Sequence, residues 1–397
     1  MPGFKTLENS QRHFRLLTVA PAPSSAGLIR CSTEIYHLDG APPYRAVSYT
    51  WGGGTKNRAI FLNGKKFKVR PNLYALLQHL QRSNYDSYFW IDAICIAQSD
   101  VRERNHQVRI MGSIYTKATE VLVWLGPELA RSNELAEDLS MLCGNNHSYD
   151  NQTLRHCYRT LCERGNSQRF WDDLTSLCGN SYWLRCWILQ EVSLAKHIQF
   201  LVGNTALDCN DLSWVCRALP VVATAVDGAD GERVRDELSS NIGRVLHVLD
   251  RKSEGKSATL QGILMTTEKT DCADVRDRVF GVLGFAKDCN DVEGLQADYS
   301  WDVPRLFYEV ITFCKPKERT IFTRRLSYLL EISKYKISEE IRAKPGWVQI
   351  AMSMNAGDIH YQWRPSWKQL RESALRPVGN RALDLEERIK LERQLNG

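Results

Sequence analysis

The feature that most limits what this chain can fold into is the stretch Tyr88-Phe-Trp-Ile-Asp-Ala-Ile-Cys-Ile-Ala-Gln98, which sets a carboxylate, Asp92, inside a run that otherwise reads as a buried strand. Removing an isolated carboxylate from water costs several kcal/mol, so Asp92 has to be paired, hydrogen-bonded, or placed where the strand opens into a crevice. The last of these is a functional position. The residues just downstream support it: Asp100 has the character of a helix N-cap, and Glu103 three residues on completes the pattern of a capping box. A strand feeding directly into a capped helix is part of an α/β unit.

The alternation extends on both sides. Upstream, Phe14–Val19, Leu28–Ile35 and Tyr44–Tyr49 read as strands separated by Pro- and Gly-rich breaks. Between Ala59–Leu62 and Lys65–Val69, the dipeptide Asn63-Gly64 predicts a tight hairpin. Pro71 opens a helix whose Leu73, Leu76, Leu77 and Leu80 share one face. Downstream, Val108, Met111, Ile114 and Tyr115 repeat a helical spacing before the strand Val121–Leu125 and its terminator Gly126-Pro127. Helix, strand, helix, strand is the order that builds parallel sheets. Residues 130–169 read as polar and helical with an exposed loop at Gly144–Ser148, and a further helix is expected over Tyr182–Lys196. From Gly203 onward the chain reads as mostly helical, including Val234–Leu249, Arg278–Leu283 and a charge-rich helix pair within Leu370–Leu395, with flexible joints at 228–231 and 252–256.

Composition closes off several classes of function. With 43% hydrophobic and 25% charged residues the 397-residue chain is globular rather than disordered. A net charge of +6 is mild at this length, and with basic residues alternating with acidic ones no nucleic-acid partner is expected. The N-terminus has no apolar signal core and no run reaches the roughly 18 apolar residues of a membrane span, so a cytoplasmic protein is expected. The 12 cysteines include no Cys-x-x-Cys pair, which argues for buried thiols and against a metal site.

Three groups of residues are candidates for chemistry. Trp183, Trp187 and Glu191 follow at intervals of four, so a continuous helix would put two indoles and a carboxylate on one face. An acid beside indoles is partly desolvated, which raises its pKa and strengthens its hydrogen bonds. The alternative is a structural pairing of Glu191 with Arg45, Arg104 or Arg185. In the second group, Ser48-Tyr-Thr-Trp51 runs into Gly52-Gly53-Gly54, whose backbone N–H groups can approach a phosphate, although neither a P-loop nor a dinucleotide fingerprint is present. The third is Asp274, Arg276, Asp277 and Arg278, read mainly as the capped and salt-bridged start of a helix.

Taken in order, these segments resemble the HET (heterokaryon incompatibility) domain of filamentous fungi. The matching blocks are Tyr44-Arg-Ala-Val-Ser-Tyr-Thr-Trp-Gly52, then Trp90-Ile-Asp-Ala-Ile-Cys-Ile-Ala-Gln98 with Asp100, Glu103-Arg104, Gln107-Val108, Met111, Ile114-Tyr115 and Val123-Trp-Leu-Gly126. Arg185-Cys-Trp187 with Gln190-Glu191 comes next, and Asp277–Gly284 and Asp298-Tyr-Ser300 look like an extension of the domain. Ala97 departs from the pattern, standing where an asparagine is usual. The resemblance implies a HET domain over 12–210 with core motifs in 44–192, a helical extension over 211–310 and a helical C-terminal region over 311–397.

HET domains are in turn distantly similar to TIR domains. That similarity implies an α/β fold with a mostly parallel TIR-like sheet flanked by helices, an N-terminal β-rich segment and a mainly helical C-terminal region. It also implies a cell-death effector that is a homo-oligomer when active, answers to an incompatibility partner protein, and takes NAD as substrate rather than cofactor. Glu191 would be the catalytic carboxylate, with Trp51, Gly52, Gly53, Asp92, Arg104, Trp187 and Gln190 around the nucleotide. Asp92 and Arg104 would form a supporting charge pair. A non-catalytic, self-associating signalling module is the competing reading.

Overall fold

The computed structural model describes residues 7, 12–21, 28–83, 85, 87–127, 132–143, 167–224, 248–249, 258–267, 270–289 and 294–354. The expectations for 144–148, 228–231, 252–256 and 370–395, and for most of 234–249, lie outside them. By backbone proximity the chain divides into two compact units, one made of residues up to Thr259 with 270–272 and Val279–Tyr299, the other of 260–269, 273–278 and the chain from Ser300 onward.

The first unit is organised by one nine-stranded sheet. Its strands are β1 (His13–Val19), β2 (Arg30–His37), β3 (Tyr44–Tyr49), β4 (Arg58–Leu62), β5 (Lys65–Val69), β6 (Tyr88–Trp90), β7 (Glu120–Trp124), β8 (Ile198–Val202) and β9 (Thr205–Asp208). They lie in the order β5-β4-β2-β1-β6-β3-β7-β8-β9. The sheet is mixed. The pairings β6–β3, β3–β7 and β7–β8 are parallel, as the alternation of helix and strand requires, and so is β2–β4. The remaining four are antiparallel, because β1–β2, β4–β5 and β8–β9 are hairpin-type connections and β1 meets β6 head to tail. The expectation of a mostly parallel sheet therefore holds for the run β6-β3-β7-β8, while outside it only β2–β4 is parallel.

Local chemistry explains most of these elements. Asn63 and Gly64 both take positive φ (51° and 76°), the type I′ geometry the dipeptide favours, and they fix Leu62 opposite Lys65. Helix α1 (Pro71–Arg82) starts on its proline and buries Leu73, Leu76, Leu77 and Leu80. Helix α2 (Asp92–Cys95) is a single turn directly after β6, and α3 (Val101–Lys117) comes next with Asp100 capping the N–H groups of Arg102 and Glu103. The capping box does not close. Glu103 turns away from the Asp100 amide and accepts instead from Ala97 N–H (2.6 Å) and from Arg15, whose Nη1 and Nη2 donate to it at 2.6 and 3.0 Å. Arg15 also donates to the Cys95 carbonyl (3.0 Å), so this enclosed ion pair ties β1 to the α2–α3 loop.

Strand β9 overturns the helical reading from Gly203 onward, and β8 lies just before it, between the two stretches expected to be helical. Ile198-Gln-Phe-Leu-Val202 is a short apolar run of the kind whose periodicity suits helix or strand. It pairs in parallel with β7, then turns at Gly203-Asn204, with Gly203 at φ 58°, into β9. A two-residue Gly-Asn turn is a hairpin signal that favoured the strand. The helix expected over Tyr182–Lys196 is also broken. A 3₁₀ turn covers Ser181–Leu184, Arg185 is extended, and the α-helix α6 covers only Ile188–Ser193, with α4 (Ser132–Cys143) and α5 (Ser167–Cys178) preceding it. The cause is Asp271, whose amide donates to the Leu184 carbonyl (2.6 Å) while its carbonyl accepts from Cys186 N–H (3.4 Å).

The second unit is helical among its described residues. The helix Val303–Cys314 is capped by Asp302 and buries Leu306, Phe307, Val310 and Ile311, and Arg319–Leu330 buries Phe322, Leu326 and Leu330. Arg276 pairs with Asp274 (2.6 Å), and Arg278 donates to Glu331 (2.9 Å) and to the Leu329 carbonyl (2.7 Å). Both arginines thus serve the structural role their surroundings suggested.

Candidate functional site

Open α/β sheets bind ligands outside the carboxyl ends of their parallel strands, at the point where the strand order reverses. Here β3 is central. The chain moves from β3 to its neighbour β6, then crosses back over β3 to β7 and on to β8, so the reversal falls at the carboxyl ends of β3, β6 and β7. Trp51 and the glycines leave the end of β3, Asp92 lies just past the end of β6, and Asn72 at the start of α1 accepts from Trp124 Nε1 (2.8 Å) and donates to the Thr50 carbonyl (2.6 Å).

Asp92 occupies the strand-end position that its sequence context allowed. It remains partly exposed, and its carboxylate accepts from Trp51 Nε1 (2.8 Å, Oδ2) and from Ala93 N–H (2.7 Å, Oδ1). Burial pushes its pKa up to about 6; the Arg185 charge opposes the rise, the Glu191 charge adds to it, and the Trp51 and Ala93 hydrogen bonds oppose it. A carboxyl group titrating near neutrality at a strand end is suited to proton transfer.

Glu191 has a different character. It is 3% exposed, and both of its oxygens are engaged: Arg185 Nη1 donates to Oε2 (2.9 Å) and Nη2 to Oε1 (3.1 Å), while Ser48 Oγ also donates to Oε2. Ser48 in turn shares a 2.7 Å hydrogen bond with Tyr182, whose hydroxyl pKa is raised by burial and by the Glu191 charge. Of the three arginines available, Arg185 is the one chosen, and the expected catalytic carboxylate is bound up in an ion pair. The more accessible half of that pair is Arg185, at 14% side-chain exposure against 4% for Glu191. Burial disfavours the Arg185 charge, but Glu191 and Asp92 more than offset it and hold the guanidinium protonated above its usual range.

The indole stripe does not form, because the helix is broken between its members. Trp183 donates to the Leu177 carbonyl (2.9 Å) and packs on Tyr182 and Phe200. Trp187 is half-buried over Gly281, where a Cβ would lie 3.5 Å from the ring. Gln190 is enclosed by glycines: its amide donates to the Gly281 carbonyl (3.3 Å) and accepts from Gly112 N–H (2.9 Å), and a Cβ on Gly284 would come within 2.9 Å of it. That enclosure fits Gln190 to helix packing rather than to ligand contact. Arg104 does not pair with Asp92; its guanidinium stacks 3.9 Å from the Tyr299 ring centre.

The site therefore unites Trp51, Asp92 and, through charge, Arg185 and Glu191, with Gly52 and Gly53 on the adjoining loop. Gly52 takes φ 73°, and its carbonyl accepts from Arg70 (2.7 Å), whose guanidinium also lies 5.6 Å from the Trp51 ring. Sequence reasoning passed over Arg70, Ser48, Tyr182 and Asn72. Only Ser48, inside the Tyr44–Gly52 block, carried a local signal; Arg70, Asn72 and Tyr182 lie outside that block in sequence. A separate hollow of about 750 Å³ lies at the opposite, amino-terminal ends of β7 and β8, lined by Glu120, Lys196, His197, Asp208 and Cys209 among others, and none of the expected site residues lines it.

The motif positions that build these strand ends fall inside a family match over residues 44–191, described as "Heterokaryon incompatibility protein (HET)". The chain carries a HET domain. A relative, "Heterokaryon incompatibility protein 6, OR allele" of Neurospora crassa, is 24% identical over 345 residues, covering 74% of this chain and 50% of the relative. The chain thus spans about half the length of the curated relative it matches. No solved structure matches it. The HET-domain match begins at Tyr44 and ends at Glu191, so it takes in Ser48, Trp51, Asp92, Arg185 and Glu191 together. No helix among the described residues is long and apolar enough to cross a membrane.

Proposed function

We propose that this protein acts in heterokaryon incompatibility as a cytoplasmic cell-death effector, and that its HET domain works by cleaving NAD or a related nucleotide at the strand ends of β3 and β6. The observation that carries this reading is Asp92: a partly exposed carboxyl group with its pKa raised to about 6, hydrogen-bonded to Trp51 and within the field of an Arg185–Glu191 pair. The strand order β6-β3-β7-β8 corresponds to the doubly wound order 2-1-3-4, which supports the TIR-like comparison.

Cleavage of the nicotinamide–ribose bond leaves positive charge on the sugar, which a carboxylate stabilises. The bonding electrons leave with the nicotinamide, which departs neutral, and water adds to the sugar carbon. In this reading Asp92 faces the developing charge and takes the proton of the attacking water, a role its raised pKa suits. Trp51 offers a stacking surface, and Arg185 offers a fixed cation to the anionic part of the nucleotide. Glu191 contributes as a positioning residue: it and Ser48 hold Arg185 in place. Self-assembly and an incompatibility partner are the proposed triggers.

The test is nicotinamide release from NAD by the concentrated protein. The wild type is expected to release it, Asp92→Asn to lower the rate by about 100- to 10,000-fold, and Glu191→Gln to raise KM through a loosened Arg185. Equal rates for Asp92→Asn and wild type would remove Asp92 from the mechanism. The closed Arg185–Glu191 pair also favours a second reading, a non-catalytic self-associating module. That reading expects no release by self-associated protein and an intact cell-death response with Asp92→Asn.

A further inference from the structure

Between Gly40 and Tyr85 the chain has no Asp or Glu, yet it has Arg45, Lys56, Arg58, Lys65, Lys66, Lys68, Arg70 and Arg82. The basic residues there do not alternate with acidic ones, contrary to the reading from overall composition. The fold gathers five of them, Lys56, Arg58, Lys65, Lys66 and Lys68, on the β4–β5 hairpin and its lead-in loop, at one edge of the sheet. All five are exposed, and none has a carboxylate partner among the described residues. Lysines on an edge strand discourage strand addition. That purpose needs charge of either sign on β5 alone, and it does not account for Lys56 and Arg58 or for the absence of acids along the whole stretch.

We infer that this hairpin edge is a docking surface for an anionic lipid bilayer. The arrangement of the charges selects the partner. The register sets Lys66 opposite Phe61 and Lys68 opposite Ala59 on one face, while Lys65 and Arg58 belong to the other, so the cations surround the edge instead of lining a single track. Single-stranded nucleic acid is held by a groove that tracks its backbone and by open aromatic faces on which bases stack. Here Phe61 is covered by the Arg30 guanidinium, 5.1 Å from its ring centre, and Tyr74 faces Arg58 at 5.8 Å. The tip, Asn63-Gly64, is polar and exposed, which fits contact with a charged headgroup layer rather than insertion. A diffuse anionic plane engages cations on both faces and along the edge together, each adding to the attraction.

The test is co-sedimentation of the full chain with vesicles of phosphatidylcholine alone or with added phosphatidylserine. The protein is expected to sediment only with the anionic vesicles and to be released in about 1 M salt, where screening shortens to about 3 Å. The triple variant Lys65→Gln, Lys66→Gln, Lys68→Gln is expected to lose about 100-fold in partitioning, with an unchanged circular dichroism spectrum. The same charge change made at the exposed Lys315, Lys317 and Lys336 is expected to leave binding intact. Equal losses in the two triple variants would reduce the effect to net charge and overturn the proposal. So would an absence of sedimentation, or tighter binding of homopolymeric RNA than of anionic vesicles at matched salt.

Discussion

Two enclosed arginine–glutamate pairs among the described residues, Arg15–Glu103 and Arg185–Glu191, differ in what lies beside them. Arg15–Glu103 is sealed, with side-chain exposures of 1% and 6%, and it also bonds the Cys95 carbonyl and the Ala97 amide. Arg185–Glu191 keeps 14% exposure on the arginine side chain, with a serine–tyrosine pair hydrogen-bonded to its carboxylate and the charge of Asp92 nearby. Similar ionic geometry thus serves two ends. The first pair joins β1 to the loop before α3; the second fixes a cation beside a carboxyl group whose pKa is raised. A buried ion pair does not by itself mark a site, and the neighbouring unspent titratable group is what separates the two.

The comparison breaks most visibly at the sealed pair. Glu103→Gln leaves Arg15 buried without a counter-charge and is expected to cost about 3–5 kcal/mol in denaturant unfolding; a loss below about 1 kcal/mol would deny it the role of a lock. Glu191→Gln is expected to cost less, about 2 kcal/mol, because Arg185 keeps some solvent and a second carboxylate nearby. Equal losses at the two positions would erase the distinction.

Asp92 has the opposite sign. Its folded pKa of about 6 lies above its unfolded value, so the folded state binds the proton more tightly. The stabilisation this confers is complete below the unfolded pKa near 4 and is lost as pH rises through about 6. Asp92→Asn is therefore expected to be more stable than wild type by about 2 kcal/mol at neutral pH, and the advantage should vanish near pH 4. Constant ΔΔG across that range would contradict the burial of the charge. Trp51→Phe, the mildest change, removes one hydrogen bond to Asp92, is expected to cost about 1 kcal/mol, and should raise the Asp92 pKa further.

Where structure depends on near neighbours, the sequence was informative. The Asn63-Gly64 turn, the leucine face of α1, the Asp100 cap and the strand-end position of Asp92 each depend on a few adjacent residues. Distant partners were not readable. Nothing near Tyr182–Glu191 announces that Asp271 will pair with Leu184 and Cys186 and break the helix, or that Arg15 will divert Glu103 from its capping box. Arg185 stood among three arginines able to meet Glu191, and only the packing of the 3₁₀ turn against β3 selects it. Glycines 112, 281 and 284 left no local sign that they make room for Gln190.

The central claim is that burial at the strand ends raises the pKa of Asp92 to about 6. Carbon-detected NMR titration of the side-chain carboxyls tests it most directly. The Asp92 resonance should show a midpoint near 6 in the wild type and a lower one in Glu191→Gln, where the charge that helps raise it is gone. A midpoint near the ordinary aspartate value of about 4, unmoved by Glu191→Gln, would contradict the account.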